Sequence, residues 1–277
     1  MQVPTVRPPI RLTCHPGSHR LGVQSTNALY RVWDGHDWLV VKVYRPYPPT
    51  LSQWMNRLAG LFGRAVPAQY QTPEQRCRHE RRTLQHWGGR GFLAPRVLDV
   101  AVEGQPPNRV LVLEYLQGPK LGDLLRARPH DPETWHLVDS VIDEMAHRHQ
   151  IALQQDDPLL AHLDANTGNV ILDARGVYRV DLESSLPGVP VVELLAREVV
   201  KLCRWIARDL GPASLEAVME QLVARYHHPR TVLEVAARRT GGRLFSRWHR
   251  RRDRCKKARM PSEVTKYDVT DRLAAYL

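Results

Sequence analysis

No run in this 277-residue chain approaches the apolar length that a membrane-spanning helix needs. The first residues, MQVPTVRPPIRL, lack the apolar core of a secretory signal, so the expectation is a cytoplasmic protein. Cysteine is scarce. The four present, at positions 14, 77, 203 and 255, have neither metal-ligand nor redox spacing, which leaves free thiols in a reducing compartment. Glycine is thin near the N-terminus. Leu12 to Val23 (LTCHPGSHRLGV) holds only Gly17 and Gly22, so no G-x-G-x-x-G forms there. A plain turn accounts for this stretch, although Ser25, Thr26 and Asn27 after it could donate hydrogen bonds to phosphate. Acids are nearly absent from one window: Arg238 to Arg259 holds eleven Arg and Lys against Asp253 alone.

What is present is a globular composition, 43% hydrophobic and 25% charged, long enough for one large domain or two lobes. The net charge of +11 is almost all local, because the 238–259 window alone carries +10. A basic, partner-binding segment is therefore a property of the C-terminal region, and a solvated basic helix is the plain alternative.

The most informative stretch is His162 to Glu183, HLDANTGNVILDARGVYRVDLE. Val170-Ile171-Leu172 and Val177 to Val180 read as two short strands around the turn Asp173-Ala174-Arg175-Gly176. Folding the hairpin back brings Asp164, Asn169 and Asp181 to one edge. Phosphoryl transfer needs such a set: one carboxylate to orient the attacking hydroxyl, and an amide and a second carboxylate to hold metal on nucleotide phosphates. An ordinary hairpin with surface acids is the alternative.

HLDANTGNVILD followed by VDLESS resembles the catalytic and metal loops of protein-kinase-like phosphotransferases. It is similar in particular to the bacterial branch with H-x-D-x-x-x-x-N, which includes aminoglycoside and choline kinases and the Kdo and heptose kinases of the lipopolysaccharide core. The resemblance implies an α+β, bilobal fold with a small β-rich N-lobe over residues 1–115 and a larger helical C-lobe over residues 116–277. It implies ATP and Mg²⁺, with Asp164 acting on the acceptor hydroxyl and Asn169 and Asp181 holding metal. Glu183 would add a metal contact or cap a strand end.

Other pieces follow in the matching order. Lys42 sits inside the apolar strand WLVVKVY, where an unpaired ammonium would be costly to bury; an edge-strand lysine facing solvent is the alternative. In the family, the lysine at this place contacts the nucleotide phosphates and pairs with a helix Glu. Thr72 to Trp87 predicts that helix, with Thr72 as N-cap, Pro73 at the first position, Gln75 three residues on and Gly88-Gly89 at its end. Glu80 is the candidate partner, against i,i+4 contacts with the surrounding arginines. Val97 to Val102 and Val110 to Tyr115 read as strands. The main-chain groups of Glu114 and Leu116 are assigned to the adenine by resemblance.

The insertion 46–71 contains LSQWMNRLAGLF, with Leu51, Trp54, Met55, Leu58, Leu61 and Phe62 at helical spacing. It is either a helix packed on the small lobe or an interfacial helix touching membrane or lipid. In the second lobe, Leu121 to Arg126 is a short helix. Asp131 caps a longer one, whose apolar face is Val138, Val141, Ile142, Met145 and His149. His147 and His149 point apart on a helix, which favours polar or core roles over metal. Val189 to Leu210 is a strong helix with Val192, Leu195, Val199, Leu202 and Ile206 on one face, stopped by Gly211-Pro212. No A-P-E segment follows, and little chain remains for a long activation loop.

The expected activity is transfer of the ATP γ-phosphoryl to a hydroxyl, on a lipopolysaccharide-core sugar or similar glycolipid. The alternatives are an atypical Ser/Thr protein kinase, and a pseudokinase or RNA-associated module. Arg250, Arg251, Arg252 and Arg254 are the candidate contacts to an anionic membrane surface or other anionic partner. Nucleic acid fits less well, because Phe245 and Trp248 give little aromatic interleaving.

Overall fold

The computed structural model describes residues 9–12, 19–20, 27–46, 71–227, 229–238 and 263–277. These form two compact units, one of Met1–Gln117 with Leu182–Leu186, the other of Gly118–Asp181 with Pro187–Leu277. The α+β architecture expected from the sequence is present: an antiparallel sheet in the first unit and mainly helices in the second.

The first unit is built on β1 (His19–Arg20), β2 (Ala28–Trp33), β3 (Trp38–Val43), β4 (Val97–Leu98) and β5 (Val110–Glu114), in spatial order β1-β2-β3-β5-β4. The β2–β3 hairpin closes where Asp34-Gly35 predicts it. Gly35 takes φ +100°, and the Asp34 carboxylate accepts from the His36 and Asp37 N–H groups. Alternation along β3 sends Leu39, Val41 and Val43 into a core with Ala28, Val32, Val110, Val112, Ile10 and Val102. It sends Lys42 to the opposite face, in register with Leu29 on β2 and Leu111 on β5.

That face meets α1 (Pro73–Gly89). Its start is the capping box read from the sequence: Thr72 accepts from the Gln75 N–H and the Gln75 side chain accepts from the Thr72 N–H. Arg76, Cys77, Glu80, Thr83, Leu84 and Trp87 form its buried stripe. The two glycines lie inside the helix rather than beyond it, and the chain turns away at Arg90 and Gly91, with Gly91 at φ +81°. The expected strand over Val97 to Val102 is shorter than its pattern suggests. The Val100 N–H closes on the Leu98 carbonyl, which ends the ladder, and Val102 instead bridges Ile10 in the apolar layer.

The second unit contains α2 (Leu121–Ala127), α3 (Pro132–Gln154), the hairpin β6 (Val170–Asp173) and β7 (Gly176–Arg179), then α4 (Val191–Leu210), α5 (Leu215–Arg225), α6 (Arg230–Arg238) and α7 (Lys266–Ala274). Asp131 caps α3 by accepting from the Glu133 N–H, and Val138, Val141, Ile142, Met145 and His149 are buried as patterned. His147 is exposed and His149 buried, so the pair does not share a face. Helix α4 buries more than one stripe: besides Leu195, Val199, Leu202 and Ile206 it buries Glu198 and Asp209, while Val192 is only half-buried. Gly211 at φ +103° stops it, followed by Pro212. Among the described residues, no helix is long and apolar enough to cross a membrane.

Candidate functional site

In the first unit Lys42 is 4% exposed, and its ammonium lies 2.7 Å from Glu80 Oε2. A second carboxylate, Glu183, stands 3.3 Å from the same ammonium. Arg76, one turn before Glu80 on α1, reaches Glu183 Oε1 at 3.1 Å and Asn27 Oδ1 at 2.9 Å, and also donates to the Arg45 carbonyl. Asn27 donates its amide to Glu183, and the Tyr44 hydroxyl donates to Glu80. Two cations thus face two carboxylates, which also accept from an amide and a phenol. A buried ionic cluster needs this degree of mutual satisfaction. Burial, with Glu80 beside it, pushes the Tyr44 hydroxyl well above its ordinary range, so it stays a donor. Burial likewise pushes the Cys77 thiol up to about 11, which leaves it inert beside the cluster.

The segment Leu182–Leu186 is therefore held to α1 by side chains. Glu183 is taken by Arg76 and Lys42, and Gln71 donates to the Ser185 hydroxyl. The sequence offers Glu183 as a metal contact or strand cap; its carboxylate meets Lys42, Arg76 and Asn27.

In the second unit the His162-to-Asn169 loop folds on itself. The Asn169 amide donates to Asp164 Oδ2 at 3.1 Å and to the Asp164 carbonyl at 3.0 Å, and the Asn166 amide caps the same carbonyl at 3.0 Å. The folded hairpin is expected to bring Asp164, Asn169 and Asp181 to one edge, and the side chains of the first two are in contact. The Val180 N–H bonds the Asn169 carbonyl at 3.0 Å, so Asp181 follows the residue paired with Asn169. Asp181 holds φ +64°, a left-handed backbone that a non-glycine residue keeps only when its surroundings impose it.

This loop rests on buried charge supplied by α3 and α4. Glu198 accepts from the His162 N–H at 2.6 Å and pairs with both Arg148 Nη atoms. Burial alone would raise the Glu198 carboxylate, but the Arg148 guanidinium outweighs it and holds the group well below its ordinary range. Arg179 of β7 reaches Glu144 at 2.9 Å through Nε. Asp209 accepts from Thr167 in the loop and from Arg126 at 2.8 Å. Gly122 sits against that contact: a Cβ there would come within 2.9 Å of Thr167 Oγ1 and 2.8 Å of Asp209 Oδ2. Lys201 of α4 forms an ion pair with Asp164 Oδ1 and donates to the Leu163 carbonyl at 3.3 Å.

Glu114 and Leu116 lie in the first unit. The Glu114 N–H is taken by the Arg96 carbonyl, and its carboxylate by Arg96 Nε at 3.0 Å. Leu116 is buried, and its main-chain groups make no hydrogen bond among the described residues. Arg250, Arg251, Arg252, Arg254, the apolar series of the 46–71 insertion and Ser25-Thr26 lie outside the described residues.

Sequence reasoning did not single out Asn27, Tyr44, Arg76, Glu198 or Lys201 for these contacts. Arg76 had one usable signal, since it falls four residues before Glu80 on the same buried stripe. The donor set also fits a hard divalent cation. Asn169 gives its amide nitrogen to Asp164 and leaves Oδ1 to accept, and Asp181 adds a carboxylate; oxygen donors of this kind suit Mg²⁺.

No protein-family model matches the chain, and no curated protein matches it in sequence. Among solved structures it is similar to WaaP in complex with acyl carrier protein, at 13% identity and a TM-score of 0.49 over 86% of this chain and 87% of that one. It is also similar to an apo pseudokinase, at 18% identity and a TM-score of 0.46 over 86% of this chain and 97% of that one. Both are likenesses of fold.

Proposed function

We propose that the chain is an ATP-dependent phosphotransferase acting on a hydroxyl. The observation that carries this reading is the buried Lys42–Glu80 pair at 2.7 Å, an ammonium kept inside an apolar strand. Burying such a charge is unfavourable without a partner, and a phosphate-binding role explains why the lysine is there at all. Lys42 binds the α- and β-phosphates, and Glu80 and Tyr44 fix its position. Leu116 offers its main-chain groups to the adenine. Asn169 and Asp181 would hold Mg²⁺, which supplies charge neutralisation at the phosphates when bound.

Asp164 accepts a hydrogen bond from the acceptor hydroxyl and takes its proton as the oxygen attacks the γ-phosphorus. The bond from phosphorus to the β,γ-bridging oxygen breaks, and its electron pair leaves with ADP. The sequence carries the full ionic set, Lys42, Glu80, Asp164, Asn169 and Asp181, which supports catalysis over a binding-only pseudokinase.

The proposed acceptor is a sugar of the lipopolysaccharide core or a similar glycolipid, met at the inner face of the membrane. Its support is sequence chemistry: the amphipathic series Leu51 to Phe62 and the +10 window ending at Arg259 both suit an anionic, lipid-linked substrate. Incubation of the purified protein with γ-labelled ATP and extracted glycolipid, beside bulk protein and RNA, tests the reading. Label in the glycolipid fraction is the expected result. Label in protein alone would make it a protein kinase, and no transfer to any acceptor would refute the enzyme reading.

A further inference from the structure

The loop His162 to Asn169 contains no lysine or arginine, yet Asp164 has an ammonium against it. That cation comes from Lys201, 37 residues later on α4. We propose that Lys201 is a positioning residue for the phosphotransfer assigned above, on which this inference rests.

Helix α4 grips three consecutive loop residues from one face. Glu198 accepts from the His162 N–H, and Lys201, three residues on, donates to the Leu163 carbonyl and to Asp164 Oδ1. Residues three apart on a helix lie side by side, so the two grips act as one clamp. Their environments differ in a way that separates their roles. The Glu198 side chain is fully buried and answered by Arg148, as a group that holds the fold would be. The Lys201 and Asp164 side chains are each 35% exposed. A pair so open to water contributes little to folding, and α4 is already anchored by its apolar faces. What the pair does fix is the plane of the Asp164 carboxylate. Asn169 takes Oδ2 and Lys201 takes Oδ1, so rotation about the terminal bond is restrained from both sides. The carboxylate is then set before the acceptor arrives.

The test compares kcat, KM for ATP and thermal midpoint in the parent, Lys201→Met, Lys201→Arg, Asp164→Asn and the Asp164→Asn/Lys201→Met double variant. Lys201→Met is expected to lower kcat by about 10²-fold, as misplacing a reacting group does, with KM for ATP within about twofold and the midpoint unmoved. Lys201→Arg should recover most of the loss. Adding Lys201→Met to Asp164→Asn should cost nothing more, because the lysine acts through the aspartate. Full activity in Lys201→Met overturns the proposal, as does a loss that multiplies with that of Asp164→Asn. A lowered midpoint with equal loss in both lysine variants also overturns it, in favour of a structural role. A parent that transfers no phosphoryl group to any acceptor or to water defeats the enzyme reading itself, a result distinct from an active parent with an indifferent Lys201.

Discussion

The Lys42 ammonium stands between two carboxylates, Glu80 at 2.7 Å and Glu183 at 3.3 Å, and Arg76 balances the second. Glu183 follows Asp181 by two residues, so the chain immediately after the proposed metal-binding aspartate is tied to the lysine and to α1. Through Glu183 that segment is held by two cations, Lys42 and Arg76.

The Lys42–Glu80 pair should behave as one unit. Removing either partner leaves a buried charge poorly answered, so Lys42→Met and Glu80→Gln should each destabilise by roughly 3–5 kcal/mol, with Glu183 moderating the loss in Glu80→Gln. The double variant should be less destabilised than the sum, by about 1–3 kcal/mol. Urea unfolding of the four proteins measures this, and simple additivity would show that Glu80 does not answer Lys42.

Asp164→Asn should leave ATP binding intact, because the contacts of Asp164 are to its own loop and to Lys201. Turnover should fall by roughly 10²–10⁴-fold, the usual effect of losing a positioned proton acceptor. Wild-type turnover in the purified variant would remove Asp164 from the chemistry.

Asp181→Asn should weaken nucleotide binding only when magnesium is present, since a metal ligand matters only with the metal. Calorimetry with and without Mg²⁺ distinguishes this from a structural role, for which the two losses would be equal.

Neutralising Arg250, Arg251, Arg252 and Arg254 should reduce binding to anionic vesicles and flatten its salt dependence while sparing ATP affinity. Each basic residue near such a surface contributes about 1 kcal/mol at best, within a Debye length of roughly 8 Å. Parent-like vesicle binding at every salt concentration would take away the membrane reading and the main support for a glycolipid acceptor.

What was legible in the sequence is what local pattern dictates. The capping box of α1, the Asp131 cap, the β6–β7 hairpin and the Asp164–Asn169 contact all depend on residues within a few positions of one another. Lys42 and Glu80 were legible for another reason: a lysine in an apolar strand demands a partner, and one helix glutamate stood in the right place. Contacts fixed only by folding were not legible. Arg76 finds Glu183 across 107 residues, and Lys201 finds Asp164 across 37; both cations look like solvated helix charges in the sequence. The apolar stripe of α4 was plain, but nothing in periodicity says that Glu198 and Asp209 are buried with it. The strand over Val97 to Val102 was over-read because a β-rich composition does not show where a tight turn interrupts the ladder.

The histidines under the loop predict how stability depends on pH. Burial lowers His162 from 6.5 to about 4, against the opposing pull of Glu198 and Asp164 and with help from Arg179 and Arg148. Burial also lowers His149, which meets the Tyr226 hydroxyl at 2.6 Å through Nδ1 and Glu198 at 3.0 Å through Nε2. Both are therefore neutral in the folded protein at pH values where the unfolded chain is already taking up protons. Their contribution is present above about 6.5 and is lost as pH falls through the folded value, about 4 for His162. For His162 alone the whole drop corresponds to roughly 3 kcal/mol, at up to about 1.4 kcal/mol per pH unit. The lowered Glu198 acts in the same direction but below its ordinary 4.5, outside most of that window. Unfolding free energies measured between about pH 7.5 and about pH 5 should fall steadily in the parent and less steeply in His162→Gln, whatever the absolute stability of that variant. Equal slopes in the two proteins would mean that His162 titrates alike folded and unfolded, and that its burial beneath the loop does not keep the imidazole neutral.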